Sequence, residues 1–329
     1  MRELASDVRV QDDLGKYLNE ILLQKPNFPR KWCCGTSRSL YCSECGRLLI
    51  EKEFWPSPLQ TGQIQLPFDL DVVLSDRRRA ATGFHALVLL QASRNCDDYD
   101  HTMKGSEVTS DIIDHDETKD IWSKNTFSTV DNHVRLFDIK NGASLPNYED
   151  DDQVFVLFPS ETSIPLSSVS ARVKRLVVLD CKWTKVGTQQ QLHEISHLPQ
   201  VHLDESMIPA ESYFWRWHNA GSNCISTLEA IYYAALQVSR DTTNPDNSNP
   251  DYLIHLMWLF GIQRALTSYA AEKRGKEKPF SEEGKEQQRL LRRTIKGSEK
   301  HLRDIQIGRK LREKVRTSRS DIKKDHSDV

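Results

Sequence analysis

The segment RVKRLVVLD, residues 172–180, has a basic start, an apolar run from Leu176 to Leu179 and a terminal aspartate. A short apolar run rich in valine is typical of a strand that is buried on both faces of a parallel sheet. DLDVVL at 69–74 has the same character, and QVFVLFPSE at 153–161 predicts a strand that runs into a turn. Together with helical patterns elsewhere, these strands predict an α/β fold with a parallel sheet flanked by helices.

Helical spacing of apolar residues appears before and after these strands. Four leucine and isoleucine residues at this spacing predict a helix over residues 8–24. We expect further helices from about residue 80, over 226–238 (STLEAIYYAALQV) and over 251–271, and a short strand over 213–217 (YFWRW). No apolar run approaches the roughly 18 residues of a membrane-spanning helix, and the N-terminus has no apolar signal core.

The formal charge of −2 hides an uneven distribution. Residues 1–272 carry 26 basic and 37 acidic side chains, whereas residues 273–329 carry 19 basic and 10 acidic ones. An acidic body of net −11 therefore precedes a basic tail of net +9, which is helical in propensity. Such a tail is a candidate contact for nucleic-acid phosphates, and a solvated helix pair or a nuclear-import signal is the alternative.

Changes in composition divide the chain into four predicted parts. Residues 96–152 are rich in Asp, Glu, Ser and Thr, and we expect most of them to form an acidic surface insertion, partly disordered. The parts are an N-terminal helical segment (1–30), a Cys-rich region (31–55), an α/β domain (56–271) that contains the insertion, and a basic helical tail (272–329).

The Cys-rich region is predicted to be a zinc knuckle. Four of the seven cysteines fall within thirteen residues, and Cys42-x-x-Cys45 followed by glycine is a complete knuckle half. The other half is irregular, because its two cysteines are adjacent and position 31 is lysine. A structural zinc ion is favoured over a set of buried free thiols. The predicted ligands are Cys33, Cys34, Cys42 and Cys45.

Two predicted strands end in residues that could carry chemistry. FPSETS (158–163) is a turn rich in small hydroxyl groups, a common ligand-binding place in an α/β sheet, or else an ordinary turn in which Ser160 caps a helix. LDCKWTK (179–185) places Asp180 where a catalytic acid often lies, although a cap or an ion-pair partner is the alternative. Trp183 has a ring that can stack on a base or face a cation.

The start of the 226–238 helix also offers two interpretations, which are compatible. Ser226 and Glu229 match the capping box S/T-x-x-E, which explains them structurally. The free N–H groups and hydroxyls of a helix N-terminus also bind carboxylates. Arg216, just upstream, is either a partner for a phosphate or carboxylate or an ordinary arginine among core aromatics.

Six motifs stand in an order that resembles a known family. They are the Cys knuckles, Thr82-x-x-His85, Phe158-Pro159-Ser160-Glu161, Asp180-x-x-Trp183, Phe214-Trp215-Arg216 and Ser226-Thr227-Leu228-Glu229-Ala230. Together they resemble the DTW-domain family of tRNA-uridine aminocarboxypropyltransferases over roughly residues 30–270, apart from the acidic insertion. STLEAIYY and YLIHLMWLF are similar to the eukaryotic nuclear-type members.

The resemblance implies a SPOUT-like, knotted α/β fold, one of the rare exceptions to the unknotted chain. It implies that S-adenosylmethionine donates its 3-amino-3-carboxypropyl group to N3 of a tRNA uridine, forming acp3U, and that methylthioadenosine leaves. The expected partners are then tRNA and S-adenosylmethionine, with no membrane. The expected location is the nucleus and/or the cytoplasm, with the nucleus favoured.

The resemblance also implies roles for individual residues. Catalysis would fall to Asp180 and Trp183, with Asp180 as base, as orienting acceptor or as holder of the donor's ammonium. The donor would be bound by Pro159, Ser160, Glu161, Asp180, Cys181, Lys182, Trp183, Ser226, Thr227 and Glu229. RNA would be contacted by Arg77, Arg78, Arg79, His85, Arg216 and the tail from Lys273 to Lys324.

The chain departs from the family pattern at three places, and one of them is the segment between Asp71 and Thr82, which is shorter than in close relatives. Position 182 is lysine where the family box, Asp-x-Thr-Trp, has threonine, and the first cysteine pair is not C-x-x-C. A zinc-containing RNA-binding protein with weakened catalysis and a methyltransferase that acts on RNA are therefore the alternative functions.

Overall fold

The computed structural model describes most of the chain up to residue 275. The described residues are 2–94, 126–129, 132–148, 152–182, 192–208, 212–215, 224–242, 250–275, 283, 284 and 286. The predicted site residues Trp183 and Arg216, and most of the basic tail, lie outside them.

The amino-terminal part begins with helix α1 (Arg2–Leu23), as the apolar spacing predicts. Leu14, Leu18 and Ile21 are buried on one face of this helix. A hairpin of strands β1 (Lys31–Cys33) and β2 (Thr36–Arg38) follows, and a short helix α2 (Ser57–Gln60) lies downstream of the Cys-rich region.

A seven-stranded sheet forms the core, and every pair of neighbouring strands is parallel except β4 with β5. The two strands predicted from buried apolar runs are direct neighbours near the centre of the sheet. The strands are β3 (Asp69–Leu74), β4 (Thr126–Ser128), β5 (Val134–Asp138), β6 (Val154–Leu157), β7 (Ile164–Pro165), β8 (Arg175–Asp180) and β9 (Gln200–His202). Their order across the sheet is β4-β5-β3-β8-β6-β9-β7.

The helices are α3 (Gly83–Arg94), α4 (His193–Ser196), α5 (Thr227–Thr242) and α6 (Trp258–Glu272), and α6 follows a 3₁₀ segment at Pro250–Met257. Ten of the twelve residues of α3 are buried, in keeping with its nearly all-apolar sequence. It starts at Gly83 and not near residue 80, because Arg78–Ala80 form a separate 3₁₀ turn.

The predicted acidic insertion at 96–152 is too wide. Residues 126–128 and 134–138 form strands β4 and β5, and β5 pairs with β3 along its whole length. These strands belong to the fold because Val134, Leu136 and Phe137 are buried in the sheet, although acidic sequence surrounds them. Residues 95–125 lie outside the described part of the chain.

Two further expectations have different outcomes. Residues 213–215 are not a strand in the structure, which corrects the prediction made from aromatic residues alone. The described residues show a mostly parallel sheet flanked by helices, and the knot of a SPOUT-like fold stays a prediction.

A buried ionic cluster fixes the central strands in their amino-terminal half. Asp71 of β3 is completely buried. Its carboxylate accepts hydrogen bonds from Arg135 Nε at 2.8 Å, Arg175 Nη1 at 2.9 Å and the Tyr148 hydroxyl at 2.6 Å. Burial, and then the Asp71 charge, raise the pKa of Tyr148, so the phenol stays a donor. The cluster supplies the buried charge of Asp71 with cationic partners. It lies toward the amino-terminal ends of the strands, and Asp180 lies at their carboxyl ends.

The chain divides into two compact units, one of residues 1–214 and 220–266 and one of residues 215–219 and 267–329. The sheet, the Cys-rich region and α5 lie in the first. In the second, the described residues include the end of α6, where Gly275 has a φ of 62° just past the last helical turn. Among the described helices, none has the length and apolar character needed to cross a membrane.

Candidate active site and metal centre

Asp180 ends strand β8 at the carboxyl edge of the parallel sheet. Its side chain is buried, and its Oδ2 accepts a hydrogen bond of 2.6 Å from the backbone N–H of Gly83, the first residue of α3. Its carbonyl accepts a second bond, of 3.1 Å, from Ser75, which follows β3. The N-terminus of α3 therefore positions the Asp180 carboxylate through a backbone N–H donor.

Gly83 permits an unusually close approach of three elements. A Cβ atom at this position would lie 2.7 Å from Asp180 Oδ2, 3.0 Å from Val72 Cγ1 and 3.2 Å from Thr227 Cγ2. Two predicted site residues that are far apart in sequence, Asp180 and Thr227, therefore meet around one glycine. The sequence analysis missed Gly83, although a glycine directly before an apolar helix is a signal for close packing.

The N-terminus of α5 forms the other side of this meeting point. The capping box is present, since Ser226 Oγ accepts from Glu229 N at 3.3 Å and Glu229 Oε2 accepts from Ser226 N at 2.7 Å. The N–H of Leu228 donates to Thr82 Oγ1 at 3.4 Å. Ser226 thus serves as a helix cap, and Thr227 is half-buried and turns its Cγ2 methyl toward Gly83.

Glu229 is completely buried and anchors an upstream loop. Besides Ser226, its carboxylate accepts 2.7 Å hydrogen bonds from the Ser212 hydroxyl and from the Tyr213 N–H. Burial raises the pKa of Glu229, and these hydrogen bonds oppose that effect. Of its two predicted roles the cap is observed, while contact with a donor's ammonium stays a prediction.

The FPSETS turn lies at the end of β6, the strand next to β8. Leu157 pairs with Val178, so the turn leaves the sheet beside Asp180. Pro159 and Glu161 are exposed, and Ser160 is half-buried.

Two residues that the sequence analysis missed hold this turn. Ser163 Oγ lies 2.8 Å from the carbonyl oxygen of Ser160 and 2.9 Å from Nδ1 of His202 on β9. It also accepts the N–H of Ser160 at 3.0 Å. The cluster of hydroxyl residues in this turn was the available signal for Ser163.

The remaining predicted donor residues differ in exposure. Cys181 is half-buried and Lys182, which replaces the family threonine, is exposed. Within the described residues, the hydroxyl of Ser75 is a buried polar atom with no hydrogen-bond partner. It lies one residue beyond β3 and next to Asp180 in the sheet, so a polar ligand group there would satisfy it.

Two residues predicted to contact RNA are placed elsewhere by the fold. Arg78 Nε donates to the buried carboxylate of Asp138 at 2.7 Å, and its guanidinium lies 4.4 Å from the ring centre of Phe127. His85 is 1% exposed and packs edge-on against Tyr41. Both are structural because their polar groups face the protein interior. Arg77 and Arg79, on either side of Arg78, are exposed.

The four predicted zinc ligands converge. Their sulphur atoms all lie within 4.8 Å of one another. Cys33 Sγ is 3.6 Å from Cys45 Sγ and 3.8 Å from Cys34 Sγ. Four sulphurs bound tetrahedrally to zinc at about 2.3 Å are about 3.8 Å apart, so the donor set fits a structural zinc ion with no open position.

Local backbone geometry explains how the two adjacent cysteines, Cys33 and Cys34, both bring their sulphur atoms to the cluster. Cys34 and Gly35 both have positive φ values, 46° and 71°, and form the tight turn between β1 and β2. This turn brings two adjacent thiols to the same centre. The other half is the expected knuckle, in which the N–H of Gly46 donates to the Cys42 carbonyl at 2.9 Å.

The Cys-rich region supports the Asp180 site. The ring of Tyr41, adjacent to Cys42, lies 5.6 Å from the ring of Phe84 and 5.3 Å from that of His85. These residues directly follow Gly83 in α3. The Cys-rich region therefore packs against the end of α3 that binds Asp180.

One comparison with known proteins gives the family of the chain. The model of the DTW domain matches residues 41–260, about two thirds of the chain. The chain belongs to the DTW domain family. This membership relates it to tRNA modification and makes tRNA its implied substrate. The matched region of the DTW domain contains Asp180, the FPSETS turn and the start of α5, but it begins after Cys33 and Cys34. No curated protein and no solved structure gives a significant match.

Proposed function

We propose that this DTW domain protein is a tRNA-uridine aminocarboxypropyltransferase that moves the 3-amino-3-carboxypropyl group of S-adenosylmethionine to N3 of a tRNA uridine. The observation that carries the proposal is the placement of Asp180. A buried carboxylate, held by one helix N-terminus and adjacent to another, lies at the edge of the parallel sheet where ligands bind in α/β folds.

The residues around Asp180 fit the amino-acid end of such a donor. S-adenosylmethionine supplies the electrophilic carbon that the uridine attacks, and its amino-acid end carries a carboxylate and an ammonium. The α5 N-terminus and Thr227 suit the carboxylate, and the buried hydroxyl of Ser75 lacks a hydrogen-bond partner among the described residues. The FPSETS turn closes the site from the neighbouring strand, with Ser160 and Pro159 at its start.

Asp180 suits the role of an orienting acceptor. Its carboxylate accepts the N3–H of the target uracil in a hydrogen bond and takes that proton as N3 bonds to the γ-carbon of the donor. The bond between that carbon and the sulphur breaks at the same time, and methylthioadenosine leaves. The alternative role of Asp180 is to hold the ammonium of the donor. Most of the rate gain then comes from aligning N3 with the attacked carbon. The target uridine must first be unstacked, and Arg77 and Arg79 would hold phosphates of the RNA, a role that their exposure supports.

Several finer features belong to the same proposal. The four-cysteine centre holds zinc structurally, and the sheet is part of a SPOUT-like, knotted domain. Trp183 packs on the adenine or the target base, the basic tail contributes RNA contacts, and the protein works in the nucleus.

The reaction is tested with two labelled donors. Unmodified tRNA is incubated with the protein and with donor labelled either in the carboxypropyl chain or in the methyl group. We expect label in tRNA only from the first donor. Label from the methyl donor alone would replace the proposal by a methyltransferase, and label from neither would leave an RNA-binding protein.

Asp180→Asn tests the site itself, because the amide keeps the shape and removes the charge. We expect loss of at least about 100-fold in kcat, as for other groups that act on a reacting proton. Asp152→Asn is the matched control, since Asp152 is an exposed carboxylate at the opposite edge of the sheet. Equal activity of the two variants would show that Asp180 is not part of the reaction.

A further inference from the structure

The hairpin of β1 and β2 displays an exposed indole. Trp32 is 76% exposed, although a tryptophan normally contributes its large apolar surface to a core or an interface. The hairpin precedes residues 41–260, the part of the chain that the DTW domain accounts for. The exposed ring therefore needs an explanation of its own.

Strand pairing places a guanidinium on the same face as this ring. Trp32 is directly opposite Ser37 in the hairpin, so the two side chains share one face. Arg30 Nε donates to Ser37 Oγ at 3.3 Å, which brings the guanidinium to that face as well. We call the surface formed by Arg30, Trp32 and Ser37 the hairpin face.

The opposite face of the hairpin is fixed by the metal centre. Cys33 follows Trp32 in β1, so its side chain points away from the hairpin face, and its sulphur lies 3.6 Å from that of Cys45. Lys31 pairs with Glu51 at 2.8 Å on this inner side. The exposed ring thus stands on a rigid support, and little conformational entropy is lost when a planar ligand stacks on it.

Charge favours a polyanion at this surface. Residues 25–47 contain five basic side chains and one acidic side chain, a net charge of +4 within a body of net −11. The acidic partner in this segment, Glu44, lies 3.6 Å from the guanidinium of Arg78. Arg77 and Arg79, which are exposed, flank that arginine, so the basic surface extends from the hairpin toward the start of α3.

We propose that the hairpin face is an RNA-binding surface on which Trp32 stacks against an unpaired base while Arg30 holds the adjacent phosphate. An aromatic ring beside cations on a rigid strand is the arrangement by which proteins bind single-stranded nucleic acid. That the RNA is tRNA rests on the proposed function. The hairpin belongs to the same Cys-rich region as Tyr41, which packs against α3, so the surface would hold the tRNA near the Asp180 site.

The experiment measures binding of fluorescently labelled, unmodified tRNA to the full zinc-loaded chain. Trp32→Ala should weaken binding by about 5- to 150-fold, the loss of one base–aromatic stack, and Trp32→Phe should recover part of it. Phe54→Ala is the matched control, because Phe54 is an aromatic residue of similar exposure, 54%, outside the hairpin face. It should change affinity less than twofold. Zinc content and the unfolding midpoint verify that each variant is folded.

A second measurement addresses the phosphate contact. Arg30→Ala should lower the slope of log affinity against log salt concentration by about 0.7–0.9, the value for one lost phosphate. Affinity for S-adenosylmethionine, followed by calorimetry, should be unchanged in all variants.

The results separate this proposal from the proposed function. Weaker tRNA binding by Trp32→Ala supports the hairpin face even if no carboxypropyl label enters tRNA. Unchanged tRNA binding by Trp32→Ala overturns it, even if transfer is confirmed, and makes a protein partner the better occupant. An equal loss in Phe54→Ala also overturns it, because the effect would then not belong to this face.

Discussion

Replacing Gly83 by alanine should damage the Asp180 site more than the fold. The new Cβ would lie 2.7 Å from Asp180 Oδ2 and 3.0 Å from Val72 Cγ1, whereas unstrained contacts begin near 3.5 Å. Val72 lies in a central strand, so the carboxylate must retreat by about 0.8 Å. Its hydrogen bond to the Gly83 N–H would then lengthen from 2.6 Å to about 3.4 Å and be largely lost.

The expected loss is large in activity and modest in stability. A displacement of this size in a reacting group costs about 10- to 100-fold in rate. Crowding a packed site costs about 1–3 kcal/mol of unfolding free energy, and the better helix propensity of alanine offsets up to about 1 kcal/mol of that. The assay is the initial rate of carboxypropyl transfer to tRNA, with the unfolding midpoint measured in parallel.

Gly261→Ala is the matched control. A Cβ there would also meet an atom at 2.7 Å, but the atom is the terminal methyl of Ile21, which belongs to the packing of α1 on α6 and not to the contacts of Gly83 with Asp180. We expect a similar change in stability and near-normal transfer. The reasoning is refuted if Gly83→Ala transfers at the wild-type rate, or if both variants lose activity in proportion to their loss of stability.

Two further predictions concern residues whose roles the fold decides. Arg78→Ala should lower the free energy of unfolding by about 3 kcal/mol, because it leaves the carboxylate of Asp138 buried without its cation. Arg77→Ala, the control, should change it by less than about 0.5 kcal/mol. Urea unfolding measures both values, and equal values would contradict the structural role of Arg78. Cys42→Ser should remove bound zinc, measured by metal analysis, and lower Tm by at least about 5 °C, since each kcal/mol shifts the midpoint of a domain of this size by about 2–4 °C. Transfer should fall with it, because Tyr41 then loses its support against α3; full activity in a zinc-free variant would separate the metal centre from the Asp180 site.

The segment between residues 126 and 138 shows where local pattern is insufficient. Its apolar residues are few and are surrounded by acidic sequence, so composition predicts a surface insertion. The structure pairs this segment with β3, and Asp138 is buried because Arg78, 60 positions away, supplies its counter-charge. A charged side chain is expected on the protein surface unless a residue of opposite charge elsewhere in the chain pairs with it.

Features that arise from neighbouring residues can be predicted from the sequence. Apolar runs predict the buried strand at 69–74 and the strand within 172–180, which the structure shortens to Arg175–Asp180. A three-residue spacing predicts the α5 capping box, and clustering predicts the set of four cysteines. These signals act over a few positions. Which polar residues gather around Asp180 depends on contacts between distant segments. Asp180 and Gly83 are 97 positions apart, yet they form the central contact of the site, whereas His85 and Arg78 turn inward. These contacts cannot be predicted locally, because burial and hydrogen bonding between distant segments depend on the order of the strands. That order is a property of the whole sheet.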